Sequence, residues 1–403
     1  MLKSLNRYRI ALFPICSFTF TLLFWMIVAF LPLHLRSIGL SPEKSGIVMG
    51  IYSIAALIFM IPLGVLSDRL NAKTMLIIGT GLVLLHICGL YYVSEFIPLL
   101  GVTFVGGVGW SLFQTVLYAL FLKVIPEEGK GLNIALYQAG LFVGFGVGPL
   151  LGGVLIQDSG YGLVLKVSAV VAIFLALCFS ALPSAKLSVF KWLDYYKDIV
   201  RKPPLLFLVL YFVYGLHFGV EQSGFSVLMD DLSFSSRQIG VVYMAIGIWM
   251  GVLAPFAGRW IDVSQRIAPF LIGGILLSSV FHILTAYVTG FSQMVIVRLL
   301  HTLGDTYVIL SFGLLTALLF PEERMGGNSA VVYTVRTLGT FSGNILTGFT
   351  AARIGISGSF VFSGVFIMLA SLMLAPQITS LFVFNHSSDD ELPLSANQER
   401  VSR

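Results

Sequence analysis

The chain has 403 residues, of which 57% are hydrophobic and only 11% charged. Soluble globular proteins carry about 25% charged residues, so this composition excludes a water-soluble fold and points to lipid as the solvent. A net charge of +5, dispersed along the chain, gives no basis for nucleic-acid binding. Cys16, Cys88 and Cys178 all lie in apolar runs without metal-like spacing, so neither a disulfide nor a metal site is expected.

A bilayer core of about 30 Å needs roughly 20 apolar residues in a helix. The first such run, 10–33, follows Lys3, Arg7 and Arg9. It is too long for a signal-peptide core and reads as a retained span. Runs at 45–66, 73–93, 97–122, 132–156 and 161–183 complete a first set of six. The basic, aromatic segment Pro183 to Pro204 follows and is expected to lie along the membrane surface. A second set runs 204–227, 238–258, 267–289, 291–320, 328–353 and 358–376. The predicted fold is an all-α membrane protein of twelve helices in two six-helix bundles, 1–183 and 204–376. A linker at 184–203 joins them, and a disordered tail at 377–403 follows. With the N-terminus in the cytoplasm, seventeen Lys and Arg fall inside and four outside (Arg36, Lys44, Arg237 and Arg353). That excess sets the orientation, and both termini are expected in the cytoplasm.

The halves share landmarks at an offset of 194 or 195. Gly64 and Asp68 match Gly258 and Asp262, and Pro126-Glu127-Glu128 matches Pro321-Glu322-Glu323. Asn133 matches Asn328, while Gly144, Gly148 and Gly153 match Gly339, Gly343 and Gly348. A duplicated six-span unit is a known plan for secondary carriers, with the substrate site between halves near the midplane.

These landmarks resemble the major facilitator superfamily over residues 8 to 376. The stretch Gly64 to Lys73 is similar to its signature loop between spans two and three, with Gly64, Asp68, Arg69 and Lys73 in place. Asn71 stands for the second glycine, and asparagine tolerates left-handed backbone. Ala72 replaces a basic residue. The resemblance implies a conformational latch made by this loop and by Gly258 and Asp262. Span five carries Gly144, Gly148, Pro149, Gly152 and Gly153, similar to the motif the family associates with proton-coupled export. Small residues allow close helix approach, and Pro149 removes a backbone hydrogen bond and favours a kink.

Ionisable residues within spans are functional candidates by default. His217 and Glu221 share one face of span seven, and His301 and Asp305 share one face of span ten, with Arg298 close by. A carboxylate beside a histidine in a low-dielectric site suits proton coupling. Asp305 or Glu221 is expected to carry it, with His217 and His301 beside them. Arg336 or Arg298 would be the counter-charge or contact an anionic substrate. The resemblance implies that spans one, four, seven and ten line the cavity. Trp25, Trp110, Gln114, Tyr211 and Tyr214 then join Tyr137 and Gln138 as candidate substrate contacts.

No phosphate loop or nucleophile constellation occurs, so an enzyme or ATP-driven pump is not expected. The leading expectation is a monomeric, cofactor-free carrier in the cell membrane that couples efflux of small amphipathic compounds to protons. Proton-coupled uptake of a sugar, organic acid or other metabolite is the alternative. A transport-inactive sensor or scaffold is the third reading.

Overall fold

The computed structural model describes residues 2–69, 71–126, 130–183, 202–264, 267–320 and 325–383. Every regular element among them is helical. This is the outcome for a chain that must satisfy its backbone polar groups within each segment while surrounded by lipid.

Helix α1 (Leu2–Val28) gives way at Ala29 and Phe30 to the short α2 (Leu31–Ser37). Pro32 sits in the first turn of α2, where its missing N–H leaves no intrahelical bond unmade. Span one is therefore broken near its end rather than continuous. Helix α3 (Pro42–Arg69) and α4 (Ala72–Tyr92) follow. Asn71, read from the sequence as a left-handed substitute for glycine, is instead extended at φ −78° and ψ 155°. Its side chain caps α4 by accepting from the Thr74 N–H. Asparagine is there as an N-cap, satisfying an orphan donor at the helix start.

Helix α5 (Phe96–Leu112) passes through a π-helical turn (Phe113–Leu117) into α6 (Tyr118–Val124). Such a bulge re-aims the side chains it carries, and Gln114 lies on it. Helices α7 (Lys130–Ser159) and α8 (Tyr161–Ala181) follow, and α7 is helical throughout, including at Pro149. After the linker come α9 (Lys202–Asp231), α10 (Ser236–Ser264), α11 (Ile267–Thr285), α12 (Phe291–Leu319) and α13 (Met325–Val383).

Eleven helices among the described residues are long and apolar enough to cross a membrane. The last has a 47-residue apolar stretch, about 70 Å at 1.5 Å per residue and over twice one crossing. Gly355, at φ 74° and ψ 167°, breaks the helical path within it. Glycine reaches that backbone without the Cβ penalty. The helix also continues to Val383, beyond the predicted tail boundary at 377. The linker up to Arg201 and the tail beyond Val383 lie outside the described residues.

The packing repeats at the offset seen in the sequence. Helix α1 packs on α7, and α9 packs on α13. A Cβ at Gly144 would lie 2.6 Å from the Phe18 carbonyl oxygen, and one at Gly339 would lie 2.1 Å from that of Phe212. Gly148 meets the Leu22 carbonyl as Gly343 meets that of Leu216. Two further pairs, α7 with α10 and α3 with α13, form the seams between early and late helices. Gly153 abuts the Ser236 carbonyl, and Gly348 abuts that of Pro42. Pro42 and Ser236 are themselves 194 apart, so both seams use one geometry. Arg36 pairs with Asp231 at 2.6 Å and with Asp230 at 3.6 Å, joining equivalent positions of the two halves. A contact between equivalent positions marks the pseudo-two-fold axis. All of these seam contacts lie at one end of the molecule.

Candidate functional site

The ionisable residues predicted from spans seven and ten converge in one buried cluster. Glu221 on α9 is its centre. Its Oε1 lies 2.5 Å from Arg298 Nη2 and 2.8 Å from His301 Nε2, both on α12. His217 Nε2, one turn back on α9, is 3.9 Å away. His282 Nδ1 on α11 is 3.5 Å away. Asp305, one turn along from His301, places Oδ2 3.1 Å from His301 Nε2 and Oδ1 4.0 Å from His217 Nε2. The separations of four residues seen in the sequence thus bring each pair to one helix face, as helical geometry requires.

Ser278 on α11 binds the members together. Its hydroxyl donates to Asp305 Oδ1 at 2.7 Å, and its carbonyl lies 2.9 Å from His301 Nδ1. Both nitrogens of His301 therefore face oxygen acceptors, an arrangement that fits a ring protonated at both positions. The His282 Nε2 edge meets the Ser363 hydroxyl at 2.8 Å. All three imidazoles and Arg298 are buried. Arg298 also stands over Phe225, its Cζ 4.4 Å from the ring centre, a cation–π contact that helps hold a desolvated guanidinium.

The sequence reading omitted His282 and Ser278. His282 was legible as an ionisable residue within an apolar run, but no spacing rule links span nine to spans seven and ten. Ser278 carried no signal.

Arg336 on α13 stands apart from this cluster. Its guanidinium sits 4.6 Å from the Phe218 ring and 5.9 Å from that of Tyr333. No ion pair to a carboxylate forms at Arg336 among the described residues. Nearby, Tyr211, Phe312, Thr316, Val332 and Tyr333 line a cavity of about 360 Å³. The Tyr333 hydroxyl donates to Gln114 Oε1 at 2.5 Å across the two halves, and Gln114 is exposed.

The aromatic candidates divide. Trp25 sits at the seam among Phe24, Phe145, Phe218 and Tyr243. Tyr211 lines the cavity. Trp110 is 5% exposed and packs against Phe20, Phe24 and Phe113, while Tyr137 stacks on Phe121 within the core of the first half. Tyr214 is also buried, beside His217. Gln138 is half-buried on α7.

Of the predicted latch, Lys73 donates to the Ser180 carbonyl at 2.6 Å, tying α4 to the end of α8. Gly258 has open space around it. The side chains of Asp68, Arg69 and Asp262, and the surroundings of Gly64, lie outside the described residues. The glycines of span five serve packing: Gly144, Gly148 and Gly152 meet α1 backbone, while Gly153 meets α10, where the Pro149 carbonyl is met in turn by Gly240.

Lipid-length helices around a shared interior, with charged groups buried among them, define a multi-spanning membrane transporter. Two matches to one family model cover residues 15–229 and 207–401. The chain belongs to the Major Facilitator Superfamily, a family of transporters rather than enzymes. It is 22% identical over 377 residues to an uncharacterised MFS-type transporter, MJ1560 of Methanocaldococcus jannaschii, covering 89% of this chain and 95% of that one. It is also 22% identical to the quinolone resistance protein NorA of Staphylococcus aureus, covering 80% and 84% respectively. Among solved structures, a bacterial homologue of the human lysosomal transporter Spinster, inward-facing and unoccupied, superposes with a TM-score of 0.78. It has 12% identity and covers 96% of this chain and 99% of that one.

Proposed function

We propose that the protein is a proton-coupled exporter of small amphipathic organic compounds, working by alternating access as a monomer in the cell membrane. Its two six-helix bundles span 1–183 and 204–376, joined by the linker 184–203 on the cytoplasmic side, where both termini lie. Gly355 separates spans eleven and twelve and brings the crossings to twelve. In this orientation the seams at Gly153 and Gly348, with the Arg36–Asp231 pair, close the outer end. The cavity beside Tyr211 and Tyr333 then lies on the cytoplasmic side.

The observation that carries proton coupling is the meeting of three imidazoles and one guanidinium from α9, α11 and α12 around a single oxygen of Glu221, with a second carboxylate, Asp305, against His301 and His217. Each charge in an apolar interior needs a partner. A proton arriving at Asp305 or Glu221 removes one acceptor, releasing His301 or Arg298 to rearrange. Helices α9 and α12 are then free to shift against α11. The amphipathic substrate would lie against Tyr211, Tyr333 and Gln114, with Trp25 at the closed end of its path. Arg336 faces that region without an ion pair to a carboxylate among the described residues and would receive any acidic group of the substrate. The relationship to a quinolone resistance protein supports export of organic compounds over uptake.

Everted membrane vesicles test this reading. An imposed proton gradient should drive accumulation of an amphipathic dye in wild type and fail to do so in Asp305→Asn. Gradient-driven accumulation that persists in Asp305→Asn removes this carboxylate from coupling. Loss of dye from preloaded vesicles in the opposite direction would establish uptake instead.

A further inference from the structure

We propose that His217, His282, His301 and Glu221 form a binding site for one divalent transition-metal ion of the zinc class. The four side chains come from three helices, and their donor atoms all lie within 4.8 Å of one another. The inference concerns a ligand site and holds whichever ion drives transport.

Geometry carries it first. Ligand atoms about 2.0–2.1 Å from a tetrahedral zinc ion stand about 3.3 Å from one another. Here His217 Nε2 and His301 Nε2 are 3.3 Å apart. Glu221 Oε1 is 2.8 Å from His301 Nε2, 3.5 Å from His282 Nδ1 and 3.9 Å from His217 Nε2. These four spacings bracket the tetrahedral edge, and the two from His282 Nδ1 to the other imidazoles lie within 4.8 Å, so side-chain shifts of up to about 1.5 Å complete the site. Three imidazoles and one carboxylate also match the donor set of zinc-class ions.

The surroundings of two of the three rings carry it second, while His217 Nδ1 has no hydrogen-bond partner among the described residues. A metal-bound imidazole usually engages its other nitrogen with a carbonyl, carboxylate or hydroxyl that fixes the ring. His301 presents Nε2 to the site and Nδ1 to the Ser278 carbonyl at 2.9 Å. His282 presents Nδ1 to the site and Nε2 to the Ser363 hydroxyl at 2.8 Å. Among the described residues, His282 Nδ1 makes only the 3.5 Å contact to Glu221 Oε1 and no well-formed hydrogen bond, although the residue is fully buried. A buried ring nitrogen left with one long contact to a carboxylate, beside two other imidazoles, is a ligand position awaiting an acceptor of its lone pair.

Arg298 is the competing cation, since its Nη2 shares Glu221 Oε1. Among the described residues its Nε and Nη1 have no hydrogen-bond partner, so its one ion pair is all that holds Nη2 to this oxygen. On metal binding, Arg298 moves to the other Glu221 oxygen. Three nitrogen–metal bonds and one oxygen–metal bond form, and His301 loses its Nε2 proton to water, as ligation requires a free lone pair.

The test uses the full-length protein in detergent with any affinity tag removed, titrated with Co²⁺ as the spectroscopic probe. The expected result is saturation at one ion per chain, with the intense visible absorption of four-coordinate cobalt, displaced by Zn²⁺. His282→Gln should abolish that signal. Ser363→Ala, which removes only the ring's outer partner, should weaken binding about tenfold. Asp305→Asn, the variant expected to lose coupling, should retain the ion, so this proposal and the transport reading fail separately. Weak six-coordinate spectra, lack of saturation at one ion, or an unchanged signal in both His282→Gln and Ser363→Ala overturns the site. So does loss of the ion in Asp305→Asn with the histidines intact. Should His282→Gln not yield a monodisperse protein, Ser363→Ala and His217→Gln decide alone.

Discussion

The seams between the halves yield the sharpest prediction, because glycine is required there by backbone contact. A Cβ at Gly153 would sit 2.1 Å from the Ser236 carbonyl oxygen, and one at Gly348 would sit 2.6 Å from that of Pro42. Backbone oxygens cannot rotate away as a flexible side chain would. Overpacking of this kind costs about 1–3 kcal/mol. Opening the seam relieves the clash, so the cost falls on the closed-seam state alone. At about 1.4 kcal/mol per tenfold, Gly153→Ala should shift the balance toward seam-open molecules by roughly 5- to 150-fold. Gly144→Ala provides the control, since its clash is with the Phe18 carbonyl inside one half. It should lower stability and leave the balance unmoved. Spin labels at Lys44 and Arg237, both exposed and on opposite sides of the seam, read the separation after Cys88 is replaced by Ser. A longer distance in Gly153→Ala and in Gly348→Ala, absent in Gly144→Ala, is expected. An unchanged distribution in folded Gly153→Ala, or an equal shift in the control, refutes the idea that these glycines set the seam.

Other substitutions probe the charges. Arg298→Met leaves Glu221 in a buried site with only imidazoles around it. It should destabilise the protein by about 3–5 kcal/mol, whereas Arg298→Met with Glu221→Gln should recover most of the loss. Unfolding in detergent, monitored for both variants, checks this. Arg36 is about half exposed, with 53% of its side-chain surface accessible. Such a pair contributes about 0–1 kcal/mol, so Arg36→Ala should leave the unfolding temperature nearly unchanged and widen the Lys44–Arg237 distance. Arg336→Gln should weaken transport of acidic compounds more than of basic ones, measured as the ratio of their apparent KM values. Tyr333→Phe removes the bond to Gln114, and it should accelerate opening of the cavity, read as faster labelling of Thr316→Cys on the cavity wall with Gln114 kept.

Much of this architecture was legible because lipid restricts the alternatives. Runs such as 73–93 and 161–183 became helices within one or two residues of their predicted limits. The repeat was legible too, since Gly144, Gly148 and Gly153 recur where backbones touch backbones, and only glycine fits there. What escaped was the local path of the chain. The break after Val28 and the π turn at Phe113–Leu117 depend on how neighbours pack, which hydropathy does not record. The aromatic candidates divide for the same reason. Composition places Trp110 and Tyr137 within spans, and only packing decides that both face the core. The cluster was half legible, because spacing by four pairs residues along one helix and says nothing about which helices meet.

The cluster also departs from the symmetry of the scaffold. The seams keep their glycines in both halves, and Arg36 meets its own equivalent region at the axis. At the matching offset, however, His217 and Glu221 correspond to Leu23 and Ile27, and His301 and Asp305 to Gly106 and Trp110. Leu23 and Trp110 lie in the apolar core of the first half. A duplicated frame needs equal seams at both crossings to rock about its axis, so the glycines are constrained together. Under the proposed coupling, ion binding needs only one site per cycle, and a buried charge in the second copy would add a desolvation cost without a task. The division follows: α1–α8 supply an apolar body, and α9–α13 supply the buried charges. Charge-bearing substitutions at Leu23 or Ile27 should therefore damage folding, whereas the near-isosteric Asp305→Asn within the cluster should damage the proposed coupling first.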